Sequence, residues 1–160
     1  MRTTAPFEVS AAAQIAAPAD RIYGILADYR NGHPHILPRP FTGLTVEAGG
    51  VGAGTRIQCG MRVFGRVQTF RAEITEPYPG RVLVERIIGE RPSVTTFTVD
   101  PVDAGNCRVT ISTDVHAPSG LRGAIERFMT ARFLRPIYVA ELRKLEEFAH
   151  SSSSASRSAK

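Results

Sequence analysis

The sequence predicts an α+β protein in which a curved antiparallel sheet is covered by one long C-terminal helix. Three observations predict it: a short amphipathic segment comes early, a long series of strand-like segments follows, and a long helical pattern closes the chain. A sheet with one apolar face needs a covering layer. Because a single helix covers a strongly curved sheet only partly, we expect a ligand-holding cavity between the two.

The first strand and the early helix are indicated by the first forty residues. Residues 7–16 have the pattern of a strand, and Pro18 and Asp20 then suit the first turn of a helix. Apolar residues recur at helical spacing on one face of this helix: Ile22, Ile25, Leu26 and Tyr29. Residues 30–40 contain three prolines and a glycine, which favours one short turn followed by a loop.

The middle of the chain has the pattern of an antiparallel meander. Turn signals recur about every 8–12 residues, and no helical pattern falls between them. The strand-like segments cover residues 41–48, 55–65, 66–76, 81–89, 91–102 and 107–117. The glycine-rich stretch 49–54 lacks the Gly-Lys-Ser/Thr ending of a phosphate-binding loop and precedes a strand, so it predicts a hairpin with left-handed glycines.

Residues 119–149 predict a long amphipathic helix. One apolar stripe is formed by Leu121, Ile125, Met129, Phe133 and Ile137, and it is widened by Phe128, Leu134, Tyr138, Leu142, Leu145 and Phe148. Pro136 lies inside this helix and predicts a kink near Leu134 and Arg135. The polar, serine-rich residues 150–160 predict a disordered tail, which leaves 1–149 as a single domain.

Composition favours an ordinary globular protein of 160 residues, with 42% hydrophobic and 22% charged residues. No apolar run reaches the roughly 18 residues of a membrane span, and the N-terminus lacks the apolar block of a signal peptide, so we expect a cytoplasmic protein. The net charge of +5 comes from scattered arginines without the basic and aromatic signature of an RNA-binding sheet, so no nucleic-acid partner is expected.

Cys59 and Cys107 are interpreted as buried reduced thiols, with a disulfide or a metal pair as the alternative.

Several phrases, taken in order, resemble a known family. They are APADRIYGILADYRNGHPHILP, GGVGAGTRI, ITEPYPGRVLVER, FTVDPVDAGNCRVTIS and RFLRPIYVAELRKLEEFA, and with the first strand they cover roughly residues 8–149. This order resembles the START/Bet v 1-like (SRPBCC) superfamily of helix-grip proteins, and within it the bacterial polyketide cyclase/dehydrase-type proteins.

The resemblance implies a curved seven-stranded antiparallel sheet wrapped around the C-terminal helix, with two short helices between strands 1 and 2. It also implies an elongated apolar cavity. Such proteins bind lipids, polyketides, quinones, hormones or other hydrophobic molecules, and some cyclise or dehydrate polyketides. The superfamily has no single invariant catalytic motif, and no cofactor is expected.

Strand alternation predicts which side chains face the cavity. It places Ile57, Cys59 and Met61 inward on one strand, and Phe64, Phe70, Ala72 and Ile74 inward on the next. The same alternation places Arg66 and Gln68 inward, where sparse polar groups would orient a ligand; alternatively, both are rim positions that reach water. Thr95 and Ser93 lie on the same strand face as Phe97, and Thr113 lies on the same face as Ile111.

Further candidates lie on the final helix and on the Pro-rich segment. Phe128, Met129, Arg132 and Phe133 occupy the stretch of helix expected to line the cavity, and Arg132 is either an anion clamp or a solvated side chain. His33 and His35 form an H-x-H pair close to Tyr29, a candidate ligand contact. A metal site needs a third ligand, which nothing nearby supplies, so we expect no metal and interpret the histidines as residues of the cavity mouth or of a plain loop.

The leading hypothesis is binding of a small hydrophobic, lipid-like or polyketide-like molecule. The alternative is a polyketide cyclase/aromatase or dehydratase, in which His35, Arg66 or Glu85 would handle charge or protons. Whether Glu85 or Arg86 faces the cavity is left open by the pattern RVLVERII. A third class is an interaction module, marked by a closed cavity and an exposed apolar patch. A homodimer is possible through the sheet edges or the long helix.

Overall fold

The computed structural model describes residues 4–158. Its elements, in chain order, are β1 (Thr4–Ile15), α1 (Ala19–Ala27), a 3-10 turn (His33–His35), β2 (Phe41–Ala48), β3 (Arg56–Val63), β4 (Arg66–Tyr78), β5 (Val82–Ile88), β6 (Val94–Asp103), β7 (Asn106–Pro118) and α2 (Leu121–Arg157).

The seven strands form one antiparallel sheet in the order β1-β7-β6-β5-β4-β3-β2. Strands β2 to β6 are each paired with the next strand along the chain, as in a meander, while β1 pairs with β7 along its whole length. The chain therefore begins and ends beside the same edge of the meander, and the predicted α+β fold with a long C-terminal helix is confirmed.

Helix α2 packs on only one part of the sheet, the pair β1 and β7. Its buried side chains Leu142, Leu145 and Ala149 belong to the same apolar cluster as Val9 of β1 and Val109 of β7. The concave face of β3 to β6 is therefore left without direct cover from the helix, and this arrangement creates the expected cavity.

The first half of α2 does not present its apolar stripe to the sheet, contrary to prediction. Leu121 is 80% exposed, and Ile125, Phe128 and Met129 are exposed as well, whereas the buried apolar side chains of the helix begin at Ile137. Periodicity identifies the apolar face of a helix, but it does not show where along the helix a neighbour covers that face. In its first turns α2 instead presents polar residues to the cavity: Arg122, Glu126 and Thr130.

Two short elements differ from the sequence prediction. Between β1 and β2 the structure has one α-helix, and the second element is a single 3-10 turn, because Pro34 lies inside it and Pro38 follows. The C-terminal helix is also longer than predicted. It continues through Pro136 to Arg157, although residues 150–160 were expected to form a disordered tail. The hydroxyls of Ser151 and Ser154 donate hydrogen bonds to carbonyls three residues earlier, a local contact that is compatible with helix. Residues 159 and 160 lie outside the described part of the chain.

The glycine-rich connection between β2 and β3 has the predicted left-handed backbone, with positive φ at Gly49, Gly50, Gly52 and Gly54. It also binds the end of α1: the amide of Tyr29 donates to the Gly50 carbonyl and the amide of Gly52 donates to the Ala27 carbonyl, both at 2.9 Å. The loop therefore fixes α1 and the Pro-rich segment at one end of the sheet.

Gly52 and Gly54 provide a matched test of this loop. Both have positive φ, but a Cβ on Gly52 would lie 2.3 Å from Glu76 Oε2, whereas a Cβ on Gly54 meets nothing within 4 Å. The Glu76 carboxylate accepts hydrogen bonds from the Tyr23 hydroxyl and the Ala53 amide. We expect G54A to cost about 1–2 kcal/mol for the left-handed backbone, and G52A to cost roughly 1–3 kcal/mol more because those hydrogen bonds are disturbed. Urea unfolding measures both, and equal losses would contradict the assigned contact.

Candidate functional site

A cavity of about 600 Å³ lies between the concave face of the sheet and α2. Its wall residues are divided about equally between apolar and polar side chains, and they come from the strands β2 to β7, the segment before β2, the β5–β6 connection and α2. The apolar wall residues include Leu37, Phe41, Leu44, Ile57, Cys59, Met61, Phe70, Ile87, Phe97, Val115 and Leu134.

Exposure distinguishes the two ends of this cavity. At one end the wall consists of exposed residues: Glu90, Arg91 and Pro92 from the β5–β6 connection, His116 of β7 and Arg122 of α2. At the other end the wall is buried and contains His33, Thr113, Tyr138 and Glu141. We call these the mouth and the inner end of the cavity.

The strand residues predicted to face inward do so over the central part of the sheet. Ile57, Met61, Phe70, Phe97 and Thr113 all line the cavity. The choice between the two charged residues of β5 is also resolved: Glu85 lines the cavity together with Ile87, while Arg86 is exposed on the other face. Glu85 shares the face of the buried Leu83, two residues earlier on the strand.

Three residues at the β3–β4 hairpin tip were predicted to face the cavity, and the structure places them outside it. Phe64 is 87% exposed, and Arg66 and Gln68 are exposed too. Gln68 pairs with Met61, so the alternation itself is correct. The hairpin continues past the covered part of the sheet, however, and the alternative interpretation of Arg66 and Gln68 as rim positions agrees with the structure.

The candidates on α2 are also outside the cavity. Phe128, Met129 and Arg132 are exposed, and Phe133 is half-buried with its ring centroid 6.5 Å from that of Phe64. His35 is exposed and stacks on Phe148, with ring centroids 4.6 Å apart, so it does not reach the cavity either.

The inner end contains an acidic cluster that comes from three elements. Nε2 of His33 lies 3.5 Å from Glu85 Oε1 and 4.0 Å from Glu141 Oε1. Nδ1 of His33 lies 2.8 Å from the carbonyl oxygen of Leu26, an acceptor, so Nδ1 carries a proton and donates it. This fixes the ring with Nε2 directed at the two carboxyl groups.

Tyr29 supports this cluster and does not line the cavity, although it was predicted to contact a ligand. It is fully buried, its ring stacks on His33 with centroids 4.5 Å apart, and its hydroxyl donates to Glu85 Oε1 at 2.6 Å. Burial, followed by the nearby Glu85 carboxylate, raises the pKa of Tyr29 well above its ordinary value. The hydroxyl therefore stays protonated and holds Glu85 in place.

Glu141 lines the cavity wall and was not among the residues that the sequence analysis selected. It is 3% exposed and places its Oε1 4.0 Å from Nε2 of His33, beyond hydrogen-bond distance. Burial, with a further contribution from Glu85, raises the pKa of Glu141 well above 4.5. The signal was present: Glu141 falls four residues from both Ile137 and Leu145, so it interrupts the apolar face of the helix.

Beside the acidic cluster lies a chain of hydroxyl groups. The hydroxyls of Thr95 and Thr113, which are opposite each other on β6 and β7, are 2.7 Å apart, and Thr113 is also hydrogen-bonded to the Tyr138 hydroxyl. Burial raises the pKa of Tyr138 to about 12, so this phenol remains a neutral donor and acceptor. The inner end thus offers both donors and acceptors to a polar group on a ligand.

The cysteines do not contribute a nucleophile. Cys59 and Cys107 are buried free thiols, and burial raises the pKa of Cys59 to about 11, which keeps it protonated and unreactive. Among the residues that the structure describes, no group of three or more histidine, cysteine, aspartate or glutamate side chains is arranged to hold a metal ion.

The family model described as polyketide cyclase / dehydrase and lipid transport matches residues 6–149. The chain belongs to this family. The resemblance inferred from the sequence phrases is thereby confirmed for nearly the whole fold. None of the curated protein sequences compared with the chain matches it.

Solved structures show the same fold in three related cases. The KanY protein is 23% identical with a TM-score of 0.78, and the match covers 91% of this chain and 99% of that chain. The ZhuI aromatase/cyclase from Streptomyces sp. R1128 is 21% identical with a TM-score of 0.75, and the match covers 91% of this chain and 94% of that chain. A START superfamily protein from Mycobacterium smegmatis is 15% identical with a TM-score of 0.71, and the match covers 90% of this chain and 97% of that chain.

Within the described part of this family member, no helix is long and apolar enough to cross a membrane.

The raised pKa of Glu141 predicts a pH-dependent stability. Above about pH 4.5 the unfolded chain loses the Glu141 proton while the folded protein keeps it, so stability falls as the pH rises, until the folded-state pKa is passed. The slope from this group is at most about 1.4 kcal/mol per pH unit. E141Q removes the carboxyl, so its unfolding free energy relative to the wild type should rise across that window.

Urea unfolding at pH 5, 6 and 7 measures this difference. The matched control is E147Q on the same helix, because Glu147 is exposed and its variant should follow the wild-type pH dependence. A constant offset between E141Q and the wild type at all three pH values would show that Glu141 is ionised in the folded protein.

Proposed function

We propose that this protein binds a small hydrophobic molecule, lipid-like or polyketide-like, in the cavity between the sheet and α2. The observation that carries the proposal is a cavity of about 600 Å³ whose lining exposes more apolar than polar surface and whose inner end has a small group of convergent polar side chains. Burying about 200–300 Å² of apolar ligand surface at about 25 cal/mol per Å² contributes several kcal/mol before the costs of binding. The family description, which includes lipid transport, supports the same proposal.

The geometry favours a ligand-binding protein over an interaction module. An interaction module of this fold would combine a collapsed cavity with an exposed apolar patch. Exposed apolar residues are present at the start of α2, Leu121 and Phe128 among them, but the cavity is open and large enough for a ligand. A cytoplasmic location, a homodimer and the exclusion of nucleic acid stay predictions from the sequence.

Ligand binding is tested by organic extraction of the natively purified protein and mass spectrometry of the released compounds. An apolar compound near one equivalent is expected. M61W fills the cavity from β3 and should lower the amount of bound compound about tenfold or more, while R62W on the opposite, exposed face of the same strand should retain it. Equal retention by both variants would place the compound outside the cavity.

A second candidate function is cyclisation or dehydration of a polyketide-like ligand, and the acidic cluster is the observation that favours it. A protonated Glu141 carboxyl can donate to a ligand carbonyl oxygen, while Glu85 or His33 accepts a proton from the carbon beside that carbonyl. The enolate so formed attacks a second carbonyl carbon to make a C–C bond, and the new alkoxide takes a proton. Subsequent loss of a further proton with the hydroxyl group releases water. ZhuI, a fold neighbour, is an aromatase/cyclase.

Catalysis is tested by incubating the protein with a synthetic poly-β-ketone thioester and following cyclised product by mass spectrometry. The E85Q variant keeps the shape of the side chain but removes a general base, and should lower the turnover rate by about 10²–10⁴. E147Q serves as the control and should be as active as the wild type. If the thioester gives the same product ratios with the wild-type protein as without any protein, the second function is eliminated and the binding proposal stays intact.

A further inference from the structure

The polar groups of the cavity are distributed unevenly by charge. The only arginine or lysine side chains in its wall, within residues 4–158, are Arg91 and Arg122, and both are exposed at the mouth. The inner end has two carboxyl groups, Glu85 and Glu141, with His33 as the only nitrogen base beside them. At the mouth these arginines stand beside the carboxylate of Glu90, whereas the inner end has no arginine or lysine among the described residues, so a ligand meets mixed charge on entering and acidic groups at the end of its path.

The environment of Glu141 is a second observation that indicates binding of a polar ligand group at the inner end. The Glu141 side chain is nearly completely buried and lines the cavity, and Nε2 of His33, at 4.0 Å from its Oε1, is beyond hydrogen-bond distance. A carboxyl group in so enclosed a site is costly to ionise unless a charged partner accompanies it. A partner with N–H groups, and preferably with positive charge, would relieve this cost.

We propose that the inner end of the cavity recognises a basic amine on an apolar body, with the ammonium group against the carboxyl groups of Glu85 and Glu141 and the apolar body directed toward the mouth. This inference rests on the proposed binding function and specifies the class of ligand. An ammonium group offers three donors, enough for both carboxylates and the hydroxyl of Thr113 or Tyr138.

Other head groups suit this end less well. A carboxylate or phosphate would lie against two acidic side chains, with no arginine nearby to balance its charge. A hydroxyl offers a single donor and no charge, and a hydrogen bond to a charged group is roughly twice as strong as a neutral one. A metal ion lacks a suitable set of three ligands among the described residues.

Amine binding has a proton balance that a neutral ligand does not share. The ammonium ion enters with its charge, the Glu141 carboxyl becomes a carboxylate, and its proton is released to the buffer. At any pH at which the free protein holds that proton, the complex releases up to one proton per amine bound, and the apparent binding enthalpy then depends on the ionisation enthalpy of the buffer.

The test uses three ligands with one body: 4-phenylbutylamine, 4-phenylbutan-1-ol and 4-phenylbutyrate, titrated calorimetrically at pH 7 in phosphate and in MOPS, neither of which is a primary amine. We expect the amine to bind about tenfold more tightly than the alcohol, the carboxylate to bind most weakly, and the amine alone to release protons. E141Q should bring the amine to within about threefold of the alcohol, abolish the proton release, and leave the alcohol affinity unchanged. E147Q should behave as the wild type.

E85Q is the second variant, because Glu85 is only half-buried and its replacement perturbs the core less. It should also reduce the preference for the amine. The inference is overturned if 4-phenylbutyrate binds as tightly as 4-phenylbutylamine, or if neither E141Q nor E85Q changes the affinity for the amine. Either result leaves the binding function in place. If none of the three ligands binds and extraction yields no apolar compound, the proposed function fails as well.

Discussion

One geometric constraint governs the rest of this structure: a single helix cannot cover a curved seven-stranded sheet. Helix α2 is committed to the edge formed by β1 and β7, where Leu145 and its neighbours complete the apolar core. The concave face of the central strands then remains apolar without a direct cover, and the fold is stable with about 600 Å³ left between the layers. The cavity is a result of the topology, and its chemistry is set by the few polar residues that the elements bring to it.

Those polar residues are held by contacts that begin in distant parts of the chain. The glycine-rich loop binds the end of α1, the Pro-rich segment follows directly, and His33 is thereby fixed with one nitrogen on the Leu26 carbonyl. Tyr29 stacks on that ring and holds Glu85 from the sheet, while Glu141 arrives from α2. The segment after α1, the sheet and α2 each contribute side chains, and α1 contributes the Leu26 carbonyl that orients His33, so the cluster requires the complete fold.

The sequence was sufficient for the architecture because strand alternation and helical spacing repeat over many residues. It identified Ile57, Phe70, Phe97 and Thr113 correctly for the same reason. It failed at Phe64 and Phe128, since periodicity assigns a side chain to a face without showing whether another element covers that face. It also passed over Glu141, whose significance depends on an individual carboxyl group meeting Glu85 and His33 across long sequence separations.

The two halves of α2 have unequal support, and this makes stability uneven along one helix. From Ile137 onward the helix is anchored by buried side chains, whereas Leu121 and Phe128 in the first turns leave most of their apolar surface in water. Local opening requires only the contacts of the segment that opens, so its free energy is lower where few side chains are buried. Backbone amides before residue 133 therefore exchange with solvent through local fraying, while those near Leu145 are protected until the whole domain unfolds.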